Sequence, residues 1–175
     1  MIKLKKELKP AGSPVKDYKE TITVSCKPKA RYAWSAGQAL SKFLQGLKEG
    51  KLYGRKCVKC GRILVPPRMY CEWCYRPTDE WVEVKPVGRV VTAVVSYIAA
   101  TRERLEKPRI VAIIELEGTG GNGIFHFIEG VDPKDVENQK IFGMRVKAVW
   151  KPPEEREGSI TDIMYFVPVK EGEEE

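Results

Sequence analysis

The chain has 175 residues, enough for one domain or two small ones, and no stretch approaches the ~20 consecutive apolar residues that a spanning helix needs. Its net charge of +7 is unevenly spread: residues 1–60 carry +11, residues 61–100 carry +1 and residues 101–175 carry −5. The opening Met1-Ile2-Lys3-Leu4-Lys5-Lys6 has no apolar run behind it, so a secretory signal is not expected and the cysteines are read in a reducing, cytoplasmic setting.

Residues 1–30 hold many lysines, Pro10, Pro14 and Pro28, and one short alternating run, Thr21-Ile22-Thr23-Val24. They read as a basic extended arm with one strand, either a loose tail or a segment that docks on a partner or a second copy. Such a basic field attracts nucleic acid, a phosphorylated cofactor or an acidic protein. Cys26 reads as a free thiol. Scarce Asn and Gln beside abundant Lys and Glu match a bias of hyperthermophile proteins.

Residues 35–49 are predicted as a helix. Ser35 and Gln38 form a Ser-x-x-Gln capping box, and Gly50 supplies the stop. Ala36, Leu40, Phe43, Leu44 and Leu47 fall on one face at spacings of three and four. That face buries against a partner subunit or against the protein's own barrel.

Then comes Cys57-x-x-Cys60, ten residues, and Cys71-x-x-Cys74. Each pair aims two thiolates at one point, and two pairs on facing loops make a tetrahedral four-sulfur shell. Gly61 suits the tight loop behind the first pair. The pattern is that of a zinc ribbon with a structural ion. Four cysteines leave no open coordination position, so a catalytic metal is not expected; iron suits the same shell. Tandem pairs without a βαβ pattern argue against a redox motif.

After the ribbon, Trp81-Val82-Glu83-Val84 alternates as a strand. Gly88–Ala100, Ile110–Glu117, Ile124–Ile128, Val146–Trp150 and Ile160–Val169 read as five further strands. Asp132 and Pro133 cap a short helical insert. Five strands with one helical insert suit a small Greek-key barrel of the OB type. Gly118–Gly123 lacks the Lys-Ser/Thr of a phosphate loop and reads as a flexible hairpin. His126, the one histidine, reads as a barrel residue rather than a catalyst. Phe125 and Phe127 share a face and are expected in the core. Residues 171–175 form an acidic tail.

The expected architecture is therefore mainly β, with a basic arm over 1–30, a helix plus zinc ribbon over 31–80, an OB-fold domain over 81–170 and an acidic tail. The run Gly50-Lys51-Leu52-x-Gly54-x-x-Cys57-x-x-Cys60-Gly61-Arg62, followed by Pro66-Pro67-Arg68-x-x-Cys71-x-x-Cys74, resembles the DUF35 family over roughly residues 31–169. That resemblance implies a rubredoxin-like zinc ribbon fused to an OB fold. It also implies a non-catalytic partner of thiolase-like enzymes, which in archaea bridges a thiolase and HMG-CoA synthase and helps hold coenzyme A.

On this basis Cys57, Cys60, Cys71 and Cys74 are the expected zinc ligands. Arg55, Lys56, Arg62 and Arg68 are candidate contacts for the phosphates of coenzyme A or an acyl-CoA, although cations beside a −2 zinc–thiolate cluster also serve to neutralise it. The expected function is a zinc-binding accessory scaffold that binds acyl-CoA, bridges thiolase-like enzymes and forms homo-oligomers if the helix pairs with a second copy. The rival is a nucleic-acid-binding module, since ribbons and OB barrels both bind nucleic acid; the −5 over the barrel region argues against it. No paired carboxylates, nucleophile–base set or open metal site supports an enzyme.

Overall fold

The structure is a computed structural model that describes residues 4–6, 22–24, 31–99 and 101–169. The chain divides into two units, residues 1–35 and 36–175. In the first, β1 (Leu4–Lys6) pairs antiparallel with β2 (Ile22–Val24), Leu4 lying opposite Val24. The alternation at 21–24 announced β2; the charged β1 gave no such signal. Cys26 and the acidic tail lie outside the described residues.

The second unit begins with α1 (Gly37–Glu49). Gly37 takes a left-handed backbone, φ 64°, which interrupts the helical run between Ser35 and Gln38. The cap therefore falls at Ala36, which has no side-chain acceptor, one residue past the Ser35 expected to cap the helix. The stop is as expected: Gly50 is left-handed, and its N–H reaches the carbonyls of Gly46 and Leu47. The buried stripe is Ala39, Phe43, Gly46 and Leu47, rotated from the expected one, so that Leu40 is exposed. A close fit sets this rotation: a Cβ on Gly46 would stand 2.5 Å from the Tyr53 ring. The stripe buries within the chain, Phe43 and Leu47 joining Leu52, Val65, Val84 and Val90 in one cluster.

The ribbon follows. β3 (Leu52–Lys56) lies between β4 (Ile63–Leu64) and β7 (Glu80–Val84), and β5 (Tyr70–Cys71) pairs with β6 (Arg76–Pro77) as a separate hairpin. The alternating strand at 81–84 thus belongs to the ribbon sheet, where Trp81 faces Arg55 in register.

The remaining strands are β8 (Val87–Ile98), β9 (Arg104–Leu116), β10 (Gly123–Ile128), β11 (Arg145–Trp150) and β12 (Ile163–Pro168), with α2 (Pro133–Glu137) between β10 and β11. They form a closed barrel in the order β10-β12-β11-β8-β9, the five-stranded barrel expected of an OB fold. Asp132 caps α2 through Lys134 N–H, with Pro133 at the first position, as its sequence announced. The interior holds Ala112, Ile114, Leu116, Ile124, Ile128, Val146, Ile163 and Phe166, continuous with the α1 and ribbon cluster.

On β10 the inward residues are Ile124, His126 and Ile128. Phe125 and Phe127, expected in the core, point outward and are 68% and 39% exposed. Alternation allows one face inward, and the two isoleucines carry it. His126 goes in with them as a satisfied residue: its Nδ1 accepts from Phe127 N–H and its Nε2 faces Ile160 O at 3.3 Å. Burial lowers its pKa, so it is held neutral.

Candidate metal centre

Two knuckles build the site. In the first, after β3, Cys57 N–H donates to Arg62 O at 2.9 Å and Gly61 N–H donates to Cys57 O at 2.8 Å. In the second, between β5 and β6, Tyr75 N–H donates to Cys71 O at 2.9 Å. The turns repeat one another: the fourth residue after the leading cysteine is left-handed in both, Gly61 at φ 74° and Tyr75 at φ 52°. That backbone costs an L-residue about 1–2 kcal/mol; Gly61 escapes the cost and Tyr75 does not.

The four sulfurs of Cys57, Cys60, Cys71 and Cys74 all lie within 4.8 Å of one another, with Cys60 and Cys71 at 3.7 Å. A regular tetrahedron with Zn–S bonds of about 2.3 Å has sulfurs about 3.8 Å apart, so the shell has the size of one four-coordinate ion. A separation of 3.7 Å also excludes a disulfide between Cys60 and Cys71, whose sulfurs would stand at about 2 Å. Cys57 and Cys71 are buried, Cys74 is half-buried and Cys60 is exposed. Without a cation the thiols divide. The Cys60 backbone N–H, first among several donors, holds Cys57 down to about 7; desolvation, then the neighbouring sulfurs, push Cys74 up to about 12. Four thiolates share this space only when a cation balances them.

The structure brings the four candidate cations to different ends. Arg55 is buried. Its Nε donates to Thr78 Oγ1 at 3.0 Å, its Nη2 donates to Thr78 O, and its guanidinium lies 4.8 Å from the Trp81 ring centre. Thr78 passes the link on, donating to Arg68 O at 2.8 Å. Arg62 stacks 3.7 Å over Trp73, pairs with Glu72 at 3.2 Å, and donates to Asn122 Oδ1 and Gly120 O. Lys56 is half-buried on β3, its carbonyl accepting from Asp79 N–H. Arg68 is 63% exposed, 3.6 Å from Glu72.

Residue spacing did not reveal Thr78 or Asp79. Asp79 accepts from Val58 N–H in the first knuckle and from Arg76 beyond the second, tying the two loops together beside the metal. The Gly118–Gly123 turn is also more than a flexible hairpin. Thr119 is fully buried and its hydroxyl bonds within the turn to Leu116 O and Asn122 O. The turn then receives Ile63 N–H at Thr119 O and the Arg62 side chain, so it clasps the ribbon to the barrel.

On the barrel lies a largely apolar groove whose lining includes Pro86, Val87, Ala148 and Trp150, with Lys85, Arg145 and Lys147 also among its residues. Arg145 there pairs with Glu117 at 2.7 Å. No helix among the described residues is long and apolar enough to cross a membrane.

Comparison with known proteins follows the same division. A family model described as the ChsH2 rubredoxin-like zinc ribbon domain matches residues 44–80, and one described as the ChsH2 C-terminal OB-fold domain matches residues 81–151. A DUF35 domain-containing scaffold protein of Methanocaldococcus jannaschii is 34% identical over 122 residues, 68% of this chain and 82% of its own. A crystal structure of a DUF35 protein of unknown function from Sulfolobus solfataricus is 31% identical with a TM-score of 0.52, covering 65% of this chain and 78% of that one. A structure described as an Ltp2-ChsH2(DUF35) aldolase shares the fold at 24% identity and a TM-score of 0.53, covering 79% and 98%.

Proposed function

Because the chain belongs to the DUF35 family, we propose that it is a zinc-binding accessory scaffold which docks on thiolase-like enzymes, a thiolase or an HMG-CoA synthase, and helps hold their acyl-CoA. The observation that carries this reading is the four-sulfur shell, sized for one tetrahedral ion and braced by Asp79 and Arg62 rather than opened toward a substrate. Cys57, Cys60, Cys71 and Cys74 hold the zinc, whose contribution is to lock two loops in place. A relative named as a scaffold protein and a fold neighbour assembled with an aldolase support a role beside an enzyme.

For coenzyme A, Arg55 and Arg62 are engaged within the chain, which leaves Arg68 as the most exposed of the ribbon arginines. The barrel groove is a second place for the ligand. Lys85 and Lys147 bring charge to phosphates there, Arg145 being engaged with Glu117, and Trp150 adds apolar wall. Calorimetry with acetyl-CoA, alone and with the purified thiolase-like enzyme of the same source, tests the reading. Binding of the enzyme, with acetyl-CoA held at micromolar or weaker affinity and lost on Lys147→Glu, is expected. No complex and no heat with either would overturn it.

The outward Phe125 and Phe127 favour a second reading, a surface on which bases of a single strand stack. Against it, residues 101–175 carry −5, and one cation among the described residues, Arg109, stacks on Phe127, 5.4 Å from its ring centre. A salt titration with an oligonucleotide separates the readings: a strand-binding protein loses affinity steeply with salt.

A further inference from the structure

The two knuckles are alike in backbone and differ at the residue that needs the left-handed turn. The first uses Gly61, which has no Cβ to strain; the second places Tyr75 there at φ 52°. Burial would be one way to offset that strain, but the Tyr75 ring is 87% exposed. The knuckle itself imposes this backbone, Tyr75 N–H closing on Cys71 O, so the metal loop holds the strain and the ring is left outward.

The same short hairpin, running from Tyr70 to Pro77, also exposes Tyr70 at 61% and Trp73 at 67%. The Trp73 indole is held by the guanidinium of Arg62 stacked 3.7 Å away. Single exposed apolar residues are ordinary; three large aromatics on one hairpin are not. Tyr, Trp and Arg are the side chains that dominate binding energy at protein interfaces.

Charge decides the kind of partner. Residues 56–79 carry five Lys/Arg and two Asp/Glu, and a divalent ion on four thiolates adds −2, leaving a net near +1. Of these cations Arg62 and Arg68 already pair with Glu72, and Arg76 with Asp79. A phosphate backbone would meet little excess positive charge there, whereas a folded protein surface needs none.

We propose that the second knuckle, led by Tyr75 with Trp73 and Tyr70, is the surface by which this chain docks on its enzyme partner. The partner supplies apolar hollows for the rings and hydrogen-bond acceptors for the two phenols and the indole N–H. This rests on the accessory-scaffold reading above.

Tyr75→Gly separates docking from folding, because it relieves the backbone and deletes the anchor together. With the purified thiolase-like enzyme of the same source as the probe, Tyr75→Gly should keep its zinc and hold or raise its thermal midpoint. It should also weaken the complex tenfold or more. Tyr75→Phe, which keeps the ring, should retain most of the affinity. If the wild type binds and Tyr75→Gly binds equally well, the docking surface is elsewhere and the scaffold reading stands. Absence of wild-type binding overturns both. Sedimentation showing that Tyr75→Gly only breaks a self-associated wild type would make the occupant a second copy and overturn the proposal. Loss of oligonucleotide binding alone would overturn it equally.

Discussion

A single carboxylate organises the loop that leads into the last strand. Asp162 is fully buried and accepts from the N–H groups of Glu157, Gly158 and Ser159 at 3.1, 2.7 and 2.9 Å. Burial alone would raise its pKa, but the backbone donors more than reverse this and hold it below the ordinary 3.8. The folded value therefore lies below the unfolded one. Its stabilisation is complete above the unfolded pKa and is lost as pH falls through the folded pKa. Asp162→Ala strands three donors and should cost about 2–3 kcal/mol at pH 7, read as a lower urea midpoint. The variant should also lose less further stability than the wild type between pH 7 and pH 2. Ser159-x-x-Asp162 before an apolar run has capping-box spacing, and the box forms. The spacing does not reveal that the same carboxylate also gathers the N–H groups of Glu157 and Gly158, because that depends on a loop folding back on one side chain.

At the scale of elements, the knuckles, the helical insert and the barrel strands were legible, since each rests on local spacing: paired cysteines with two residues between them, a capping aspartate before proline, runs of β-branched residues. What failed needed knowledge of the other side of a contact. The buried stripe of α1 turned because Gly46 meets Tyr53. Phe125 and Phe127 lost the core because Ile124 and Ile128 fill it, and hydrophobicity alone does not choose between two apolar faces of one strand. Gly118–Gly123 looked slack by composition, yet Thr119 knots it and Arg62 reaches it across about sixty residues of chain. Arg62→Ala removes the Trp73 stack, the Glu72 pair and the bonds to Gly120 and Asn122. It should cost about 1–3 kcal/mol and speed amide exchange across residues 118–123, with bound zinc retained. Unchanged exchange there would show that Arg62 does not clasp the turn.

For the second unit as a whole, one apolar cluster runs from α1 through the ribbon sheet into the barrel. The metal therefore supports more than its own loops. Without it the knuckles confine thiols that cannot all ionise, and the sheet carrying Leu52, Leu64 and Val84 loses its far end. Elemental analysis should give one zinc per chain. Removing it with a chelator at neutral pH should lower the thermal midpoint by about 10 °C or more and release the barrel and ribbon together. A barrel transition unmoved by chelation would show that the two halves stand independently.

The barrel itself is joined unequally around its circumference. β8 and β9 share a long ladder, whereas β10 meets β12 at one parallel rung, Ile128 opposite Phe166, with Glu129 N–H to Phe166 O at 2.9 Å beside it. A cylinder sewn shut by so few stitches has a preferred line of opening. Thermal breathing starts along that line, which places solvent first beside His126 and the Ile160 carbonyl it faces, while the long ladder opposite stays zipped.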